Sequence, residues 1–153
     1  MFHVVLHEPE IAPNTGNLMR LTVNTGCRLH LIHPLGFALD DAKLRRAGLD
    51  YREHADVEHH ESFDAALESI GSGHVHAFSQ YADVRYTDVV YRPGDVLVFG
   101  KESVGLPEDV LEHPAVMSRV FIPIAPGGRS LNLANAAAIG IYEAWRQLGF
   151  PEP

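Results

Sequence analysis

The sequence predicts an α/β domain: a mostly parallel sheet with helices on both faces. Three observations carry this. Short runs rich in β-branched residues alternate with stretches of helical periodicity along the whole chain. At 153 residues with 46% apolar content, the chain is one domain's worth and can bury a real core. No repeat, low-complexity tract or long linker divides residues 1–153, so a single domain is expected.

Phe2 to His7 reads as the first strand, followed by Arg28 to His33, His74 to Ser79, Asp95 to Gly100 and Arg119 to Ile124. Between the first two, the segment from Asn14 to Gly26 is punctuated as a helix, with an Asn or Thr cap and a closing glycine. Ser62 to Ile70 is a second helix, placing Phe63, Ala66, Leu67 and Ile70 on one face before Gly71. The last helix is the clearest. Leu131, Ala134, Ala138, Ile141, Trp145 and Leu148 recur at spacings of 3 and 4, and Gly149 stops the run. That apolar stripe suits either the core or a subunit interface.

Composition excludes several classes. Cys27, the single cysteine, can form no internal disulfide and offers no thiolate cluster, which fits a reducing compartment. No stretch of about 18 apolar residues is present, and Met1-Phe2-His3-Val4-Val5-Leu6 lacks the basic flank of a signal peptide. A cytoplasmic location with no membrane association is expected. Twenty acidic against twelve basic residues leave a net charge of −8, which argues against non-specific coating of nucleic acid. It leaves room for a local basic patch.

In open parallel sheets, ligands gather beyond the carboxyl ends of the strands, so the loops that follow strands matter most. Three stand out: Glu8 to Asn17, Gly100 to Pro107 and Pro123 to Asn132. Each combines glycine, which admits close backbone approach, with one or two polar groups. Known nucleotide motifs fit poorly. No Gly-x-Gly-x-x-Gly follows the first strand. Gly100-Lys101-Glu102-Ser103 is no phosphate loop, because Asp95 replaces the first glycine and Glu102 the Ser or Thr after the lysine. A carboxylate there would repel a triphosphate and suit a cationic or hydroxyl-bearing ligand. His54, Asp56, His59, His60 and Glu61 cluster in sequence, but their spacings match no metal-ligand pattern, so no metal is expected.

The three loops together resemble the motifs of the SPOUT (SpoU–TrmD) RNA methyltransferases. The residues are Asn14-Thr15-Gly16-Asn17 with Arg20, then Leu97-Val98-Phe99-Gly100-Lys101-Glu102 with Gly105-Leu106-Pro107, then Ile122-Pro123 with Arg129-Ser130-Leu131-Asn132-Leu133 and Tyr142-Glu143. Within that superfamily the chain is most similar to the TrmL subfamily, single-domain tRNA 2′-O-methyltransferases acting on wobble nucleotide 34. Pro34-Leu35-Gly36-Phe37, Leu44-Arg45-Arg46-Ala47-Gly48-Leu49-Asp50-Tyr51 and Tyr142 to Gly149 add to that likeness.

The resemblance implies a carboxyl-terminal trefoil knot, which periodicity alone would not suggest since knots are rare. It also implies a homodimer with the site near the interface, and S-adenosylmethionine as methyl donor. Transfer to a ribose 2′-oxygen needs in-line attack from about 3–3.5 Å. By resemblance, loops around Gly100, Ile122 and Ser130 cradle the cofactor, and Phe78 presents an apolar ring that could stack on adenine or simply fill the core. Arg20 is the leading catalytic candidate. A guanidinium stays protonated, so orienting the nucleotide and stabilising developing alkoxide suit it better than acting as a base. Asn14 would support its loop. Glu102 is a second polar candidate, as a cofactor or substrate acceptor or as a cap for the loop.

For RNA, Arg20, Arg28, Lys43, Arg45, Arg46 and Arg52 place six of the twelve positive charges in the first 52 residues. That patch is the expected contact for the anticodon stem-loop, though Lys43 to Arg46 alone also reads as a solvated helix face. Two alternatives stay open: a SPOUT methylase acting on ribosomal RNA or another tRNA position, and a non-catalytic RNA-binding knot protein.

Overall fold

The computed structural model describes residues 1–39 and 55–152. Seven strands form one sheet: β1 (His3–His7), β2 (Arg28–Ile32), β3 (Val57–His60), β4 (Val75–Phe78), β5 (Val84–Arg85), β6 (Val96–Phe99) and β7 (Val116–Phe121). Their order is β3-β2-β1-β6-β4-β7-β5, and every pairing among them is parallel. The helices among the described residues are α1 (Ala12–Thr25), α2 (Phe63–Ile70), α3 (Glu108–Leu111) and α4 (Leu133–Gln147), with a 3-10 turn at Tyr86–Asp88.

Alternation along the central strands explains the two cores. In β1, Val4 and Leu6 belong to the cluster that also holds Leu18 of α1 and Ile141 of α4, whereas Val5 belongs with Phe63 of α2 and Val110 of α3. β6 divides the same way, with Leu97 and Phe99 on the first side and Val96 and Val98 on the second. Strands buried on both faces read as continuous apolar runs, which is why β1, β2, β4 and β6 were visible in sequence.

Four expectations need correction. The strand read as Arg119 to Ile124 lies at Val116–Phe121, so residues 122–124 belong to the loop that follows it. β3 and β5 were not foreseen: β3 reads Val-Glu-His-His, an edge strand with little apolar content, and β5 has two residues. α1 starts at Ala12 rather than Asn14, because Pro13 sits in the first turn, where its missing N–H costs nothing. α4 starts at Leu133 with Asn132 as its cap, leaving Leu131 outside. Of the apolar stripe read on this helix, Ala134 and Ile141 are buried and Trp145 and Leu148 pack partly buried against the same core, while Leu131 is exposed; Ala137 and Ala144, outside that stripe, complete the buried face.

Candidate active site

The loop after β1 and the loop after β6 are stitched together from both sides. Lys101 Nζ lies 2.8 Å from Oε2 of Glu8. That hydrogen bond holds the Lys101 ammonium above its ordinary range. The Ser103 N–H and hydroxyl each donate to the Glu10 carboxylate at 2.9 Å. These two bonds hold the Glu10 carboxyl below the usual carboxylate range.

Glu102 answers in the opposite direction. Its carboxylate accepts the Glu10 N–H at 2.7 Å, the Ile11 N–H at 3.1 Å and the Asn14 side-chain amide at 3.0 Å. Ile11, the N-cap of α1, has no side chain able to cap, so a carboxylate 91 positions away takes that part. The chain of bonds continues, because Asn132 Nδ2 donates to Asn14 Oδ1 at 2.9 Å. Asn132 Oδ1 in turn accepts the N–H groups of Ala134 and Asn135 at the start of α4. All three loops singled out in the sequence are thereby tied into one hydrogen-bonded frame.

The frame borders a cavity of about 770 Å³ at the carboxyl ends of β1, β4, β6 and β7. Of the expected residues, Asn14, Phe78, Gly100, Glu102, Ile122 and Ser130 all line it. Gly100 is required by backbone crowding: a Cβ there would stand 2.1 Å from the Gly105 carbonyl carbon and 2.2 Å from the Leu106 nitrogen. The loop doubles back tightly, its Gly105 N–H donating to the Lys101 carbonyl at 2.9 Å. Phe78 is stacked on Phe99 with ring centroids 4.5 Å apart. Its edge fits the gap left by Gly140 of α4, where a Cβ would meet Phe78 Cζ at 2.8 Å. The ring is both core and cavity wall.

Arg20 is placed differently. It lies on the exposed side of α1 with Pro13, Asn17 and Asn24, and it does not line the cavity of its own chain. Arg28 stands at the amino end of β2, opposite the cavity end of the sheet, paired with Asp56 at 2.9 Å. Lys43, Arg45, Arg46 and Arg52 lie outside the described residues, as does His54. Within the histidine cluster read from sequence, the adjacent described residues His59 and His60 of β3 face opposite sides of the sheet.

Sequence reasoning missed two contributors. Asn132 was quoted only as part of a motif, although its place before an apolar periodic run marks it as a cap. Tyr81, 83% exposed at the cavity rim, gave no signal because it follows a strand end with no motif around it.

A family profile described as the SpoU rRNA methylase family matches residues 1–142. A tRNA (cytidine(34)-2′-O)-methyltransferase of Burkholderia ambifaria is 54% identical over 152 residues, covering 98% of this chain and 97% of that one. A protein of the same description from Escherichia coli K12 is 48% identical over 151 residues, with 99% and 96% covered. A solved structure described as giving insights into the 2-OH methylation of C/U34 on tRNA superposes with a TM-score of 0.91. It is 46% identical, with 99% of this chain and 98% of that one covered. A profile spanning nearly the whole chain, relatives at about half identity and a close superposition agree: this protein belongs to the SpoU methylase family.

Proposed function

We propose that this chain is an S-adenosylmethionine-dependent tRNA 2′-O-methyltransferase acting on cytidine or uridine at wobble position 34. The observation that carries the reading is near-complete alignment, at about half identity, with relatives of that activity, joined to a cavity lined by the motif residues. A reading as a ribosomal RNA methylase draws on the family's general description and on fold likeness at 24% identity, well below the identity of the relatives above.

The cavity suits the proposed donor. Its volume falls in the usual range of about 300–1,000 Å³ for small-molecule sites. Apolar wall from Phe78, Leu106 and Ile122 meets polar groups from Ser79, Ser130 and Asn132, a mixture fitted to a nucleoside with an amino-acid tail. When bound, S-adenosylmethionine supplies a methyl group on a positive sulfonium. Methyl transfer breaks the carbon–sulfur bond, forms a carbon–oxygen bond and releases the 2′-hydroxyl proton. The chain's task is to hold both partners in line and to stabilise charge growing on the ribose oxygen.

Glu102 fits a positioning role in this scheme, because its carboxylate is already engaged by three donors of its own chain. Asn14, buried and bonded at both ends of its amide, sets the orientation of the loop and of α1. Arg20, permanently charged, would orient the nucleotide and stabilise the alkoxide through charge-assisted hydrogen bonds.

A homodimer is part of this reading. Arg20 does not line the cavity of its own chain, so a second subunit is one way to bring guanidinium and methyl donor to the same hydroxyl. An aromatic group of Tyr142, Trp145 and Phe150 is available for such an interface, with Tyr142 45% and Phe150 50% exposed. The expected trefoil knot draws support from β7 lying beyond β4 while α4 returns to pack on α1. The basic segment with Lys43, Arg45 and Arg46 is the proposed contact for the anticodon stem-loop. No helix among the described residues is long and apolar enough to cross a membrane. A cytoplasmic location accords with a tRNA substrate.

The test is methyl transfer from labelled S-adenosylmethionine to tRNA, followed by mapping of the modified nucleotide. A 2′-O-methyl group at nucleotide 34 is the expected product. Normal wobble methylation in a strain lacking the protein, or methylation at another position, would overturn the assignment.

A further inference from the structure

Three histidines form a diagonal ladder across β1, β2 and β3. His3 Nδ1 lies 2.9 Å from His30 Nε2, and His30 Nδ1 lies 2.9 Å from His60 Nε2. The β2–β3 register pairs His30 with Glu58 and Ile32 with His60, so His30, Glu58 and His60 share one face of the sheet. Oε2 of Glu58 is 3.8 Å from His30 Nδ1 and 3.9 Å from His60 Nε2. Those three atoms define a triangle with sides of 2.9, 3.8 and 3.9 Å, and its circumcentre stands about 2.1 Å from every corner. Zinc binds imidazole nitrogen at about 2.0–2.1 Å and carboxylate oxygen at about 2.0–2.2 Å.

We propose that His30, Glu58 and His60 form a three-ligand site for a divalent transition metal ion, with zinc the best match. None of the three lines the cavity at the carboxyl ends of the central strands, so the site is separate from the methyl-transfer centre.

The surroundings are those a built site needs. An ion in the shared gap takes lone pairs from His30 Nδ1 and His60 Nε2 and leaves the His30 Nε2–H to donate to His3, which fixes that ring's tautomer. The Ser69 hydroxyl donates to Glu58 Oε2 at 2.7 Å and anchors the carboxylate. The His30 side chain is 1% exposed and that of Glu58 37%, so the ion sits between protein on one side and water on the other. Water therefore completes the shell as a fourth ligand. Two imidazoles and one carboxylate favour zinc, cobalt, nickel or copper over magnesium or calcium, which prefer all-oxygen shells. Loading would widen the His30–His60 gap by a few tenths of an ångström, since about 3.3 Å separates two nitrogens in a tetrahedral shell. The consequence is mechanical: the ion would pin β3, the polar edge strand, to β2.

The experiment uses tag-free protein stripped with chelator and titrated with zinc, then separately with cobalt(II), whose visible absorption reports coordination geometry. Expected are saturable binding of one ion per chain and a low-symmetry cobalt spectrum. Zinc should raise the thermal unfolding midpoint of the parent protein. His60→Gln and Glu58→Gln should each weaken zinc at least about tenfold and remove the thermal response. His59→Gln, on the opposite face beside His33, should bind like the parent. Absence of one-to-one binding, or His60→Gln binding as tightly as the parent, would overturn the site.

Discussion

Asn132 donates its side-chain amide to Oδ1 of Asn14 at 2.9 Å, joining the starts of α1 and α4 across 118 positions of sequence. Each residue has a second task, because Asn14 also donates to Glu102 and Asn132 also caps α4. Asn132→Ala should cost about 1 kcal/mol for the lost cap plus a share for the orphaned Asn14 oxygen. In a double-mutant cycle with Asn14→Ala, urea unfolding should give a coupling of about 0.5–3 kcal/mol. Strict additivity would show that the two loops do not support each other.

Glu102 offers a sharper test of what a site carboxylate does. Glu102→Gln keeps one oxygen but turns an NH₂ toward backbone N–H donors, leaving at least one of them without an acceptor. Hydrogen bonds to charged groups are worth about 1.5–3 kcal/mol, so both Gln and Ala variants should lose stability of that order. The larger effect should fall on the affinity for S-adenosylmethionine, measured calorimetrically, because the loop after β6 forms one wall of the cavity. If the variants keep their stability and cofactor affinity but lose turnover, the carboxylate acts on substrate directly.

How much of this was legible beforehand depends on where each signal resides. The central strands announced themselves, since Val96-Leu97-Val98-Phe99 is buried on both faces and reads as an unbroken apolar run. β3 did not, because an edge strand carrying Glu58, His59 and His60 has too little apolar content to separate it from a loop. The motif residues that line the cavity were identifiable from resemblance, yet their mutual bonds were not. Glu102 capping a helix 91 positions away leaves no local pattern. The same holds for His30 meeting His60, which depends on strand register rather than on spacing along the chain.

Gly140 has a consequence for the cavity although it sits within α4. A methyl group there would stand 2.8 Å from Phe78 Cζ, 3.0 Å from Cε1 and 3.3 Å from Phe99 Cζ. Both rings are buried and stacked, so neither can yield without moving the cavity wall. Gly140→Ala, ordinarily favourable by helix propensity, should instead destabilise by about 1–3 kcal/mol through overpacking. It should also weaken binding of S-adenosylmethionine. A variant as stable as the parent with unchanged affinity would show that the aromatic pair is looser than its spacing implies.

Acid should destabilise the fold through its buried histidines. Burial lowers the His30 pKa from 6.5 to about 4, with the neighbouring His3 and His60 adding to the effect and Glu58 opposing it. Burial also lowers that of His76, although Asp95 lies 3.1 Å away. Above about pH 6.5 these rings are neutral in both folded and unfolded chains, so they contribute no pH dependence. As pH falls below 6.5 the unfolded chain takes up protons that the folded chain refuses, and stability drops until the folded-state value is passed. For His30 the full loss is on the order of 3 kcal/mol. Urea midpoints measured with chelator present should fall between pH 7.5 and pH 5, and a flat profile would contradict the assignment.

Arg20 decides whether the proposed enzyme works as one chain or two. Arg20→Ala should lower kcat by about 10²–10³-fold, the scale of losing one charge-stabilising group, while leaving cofactor affinity near its original value. The side chain lies outside its own cavity, so a partner's cavity is the proposed place of action. Co-expression with Gly100→Val, whose added bulk would collide with the backbone at Gly105 and Leu106, separates the cases. If Arg20 serves the neighbouring subunit, a mixed dimer retains one complete site, built from the intact Arg20 of the Gly100 variant and the intact cavity of the Arg20 variant. Activity should then return to a fraction of the parent's in the mixture, well above the residual level of either variant alone. Failure to recover any activity from verified mixed dimers would place Arg20 in the service of its own chain.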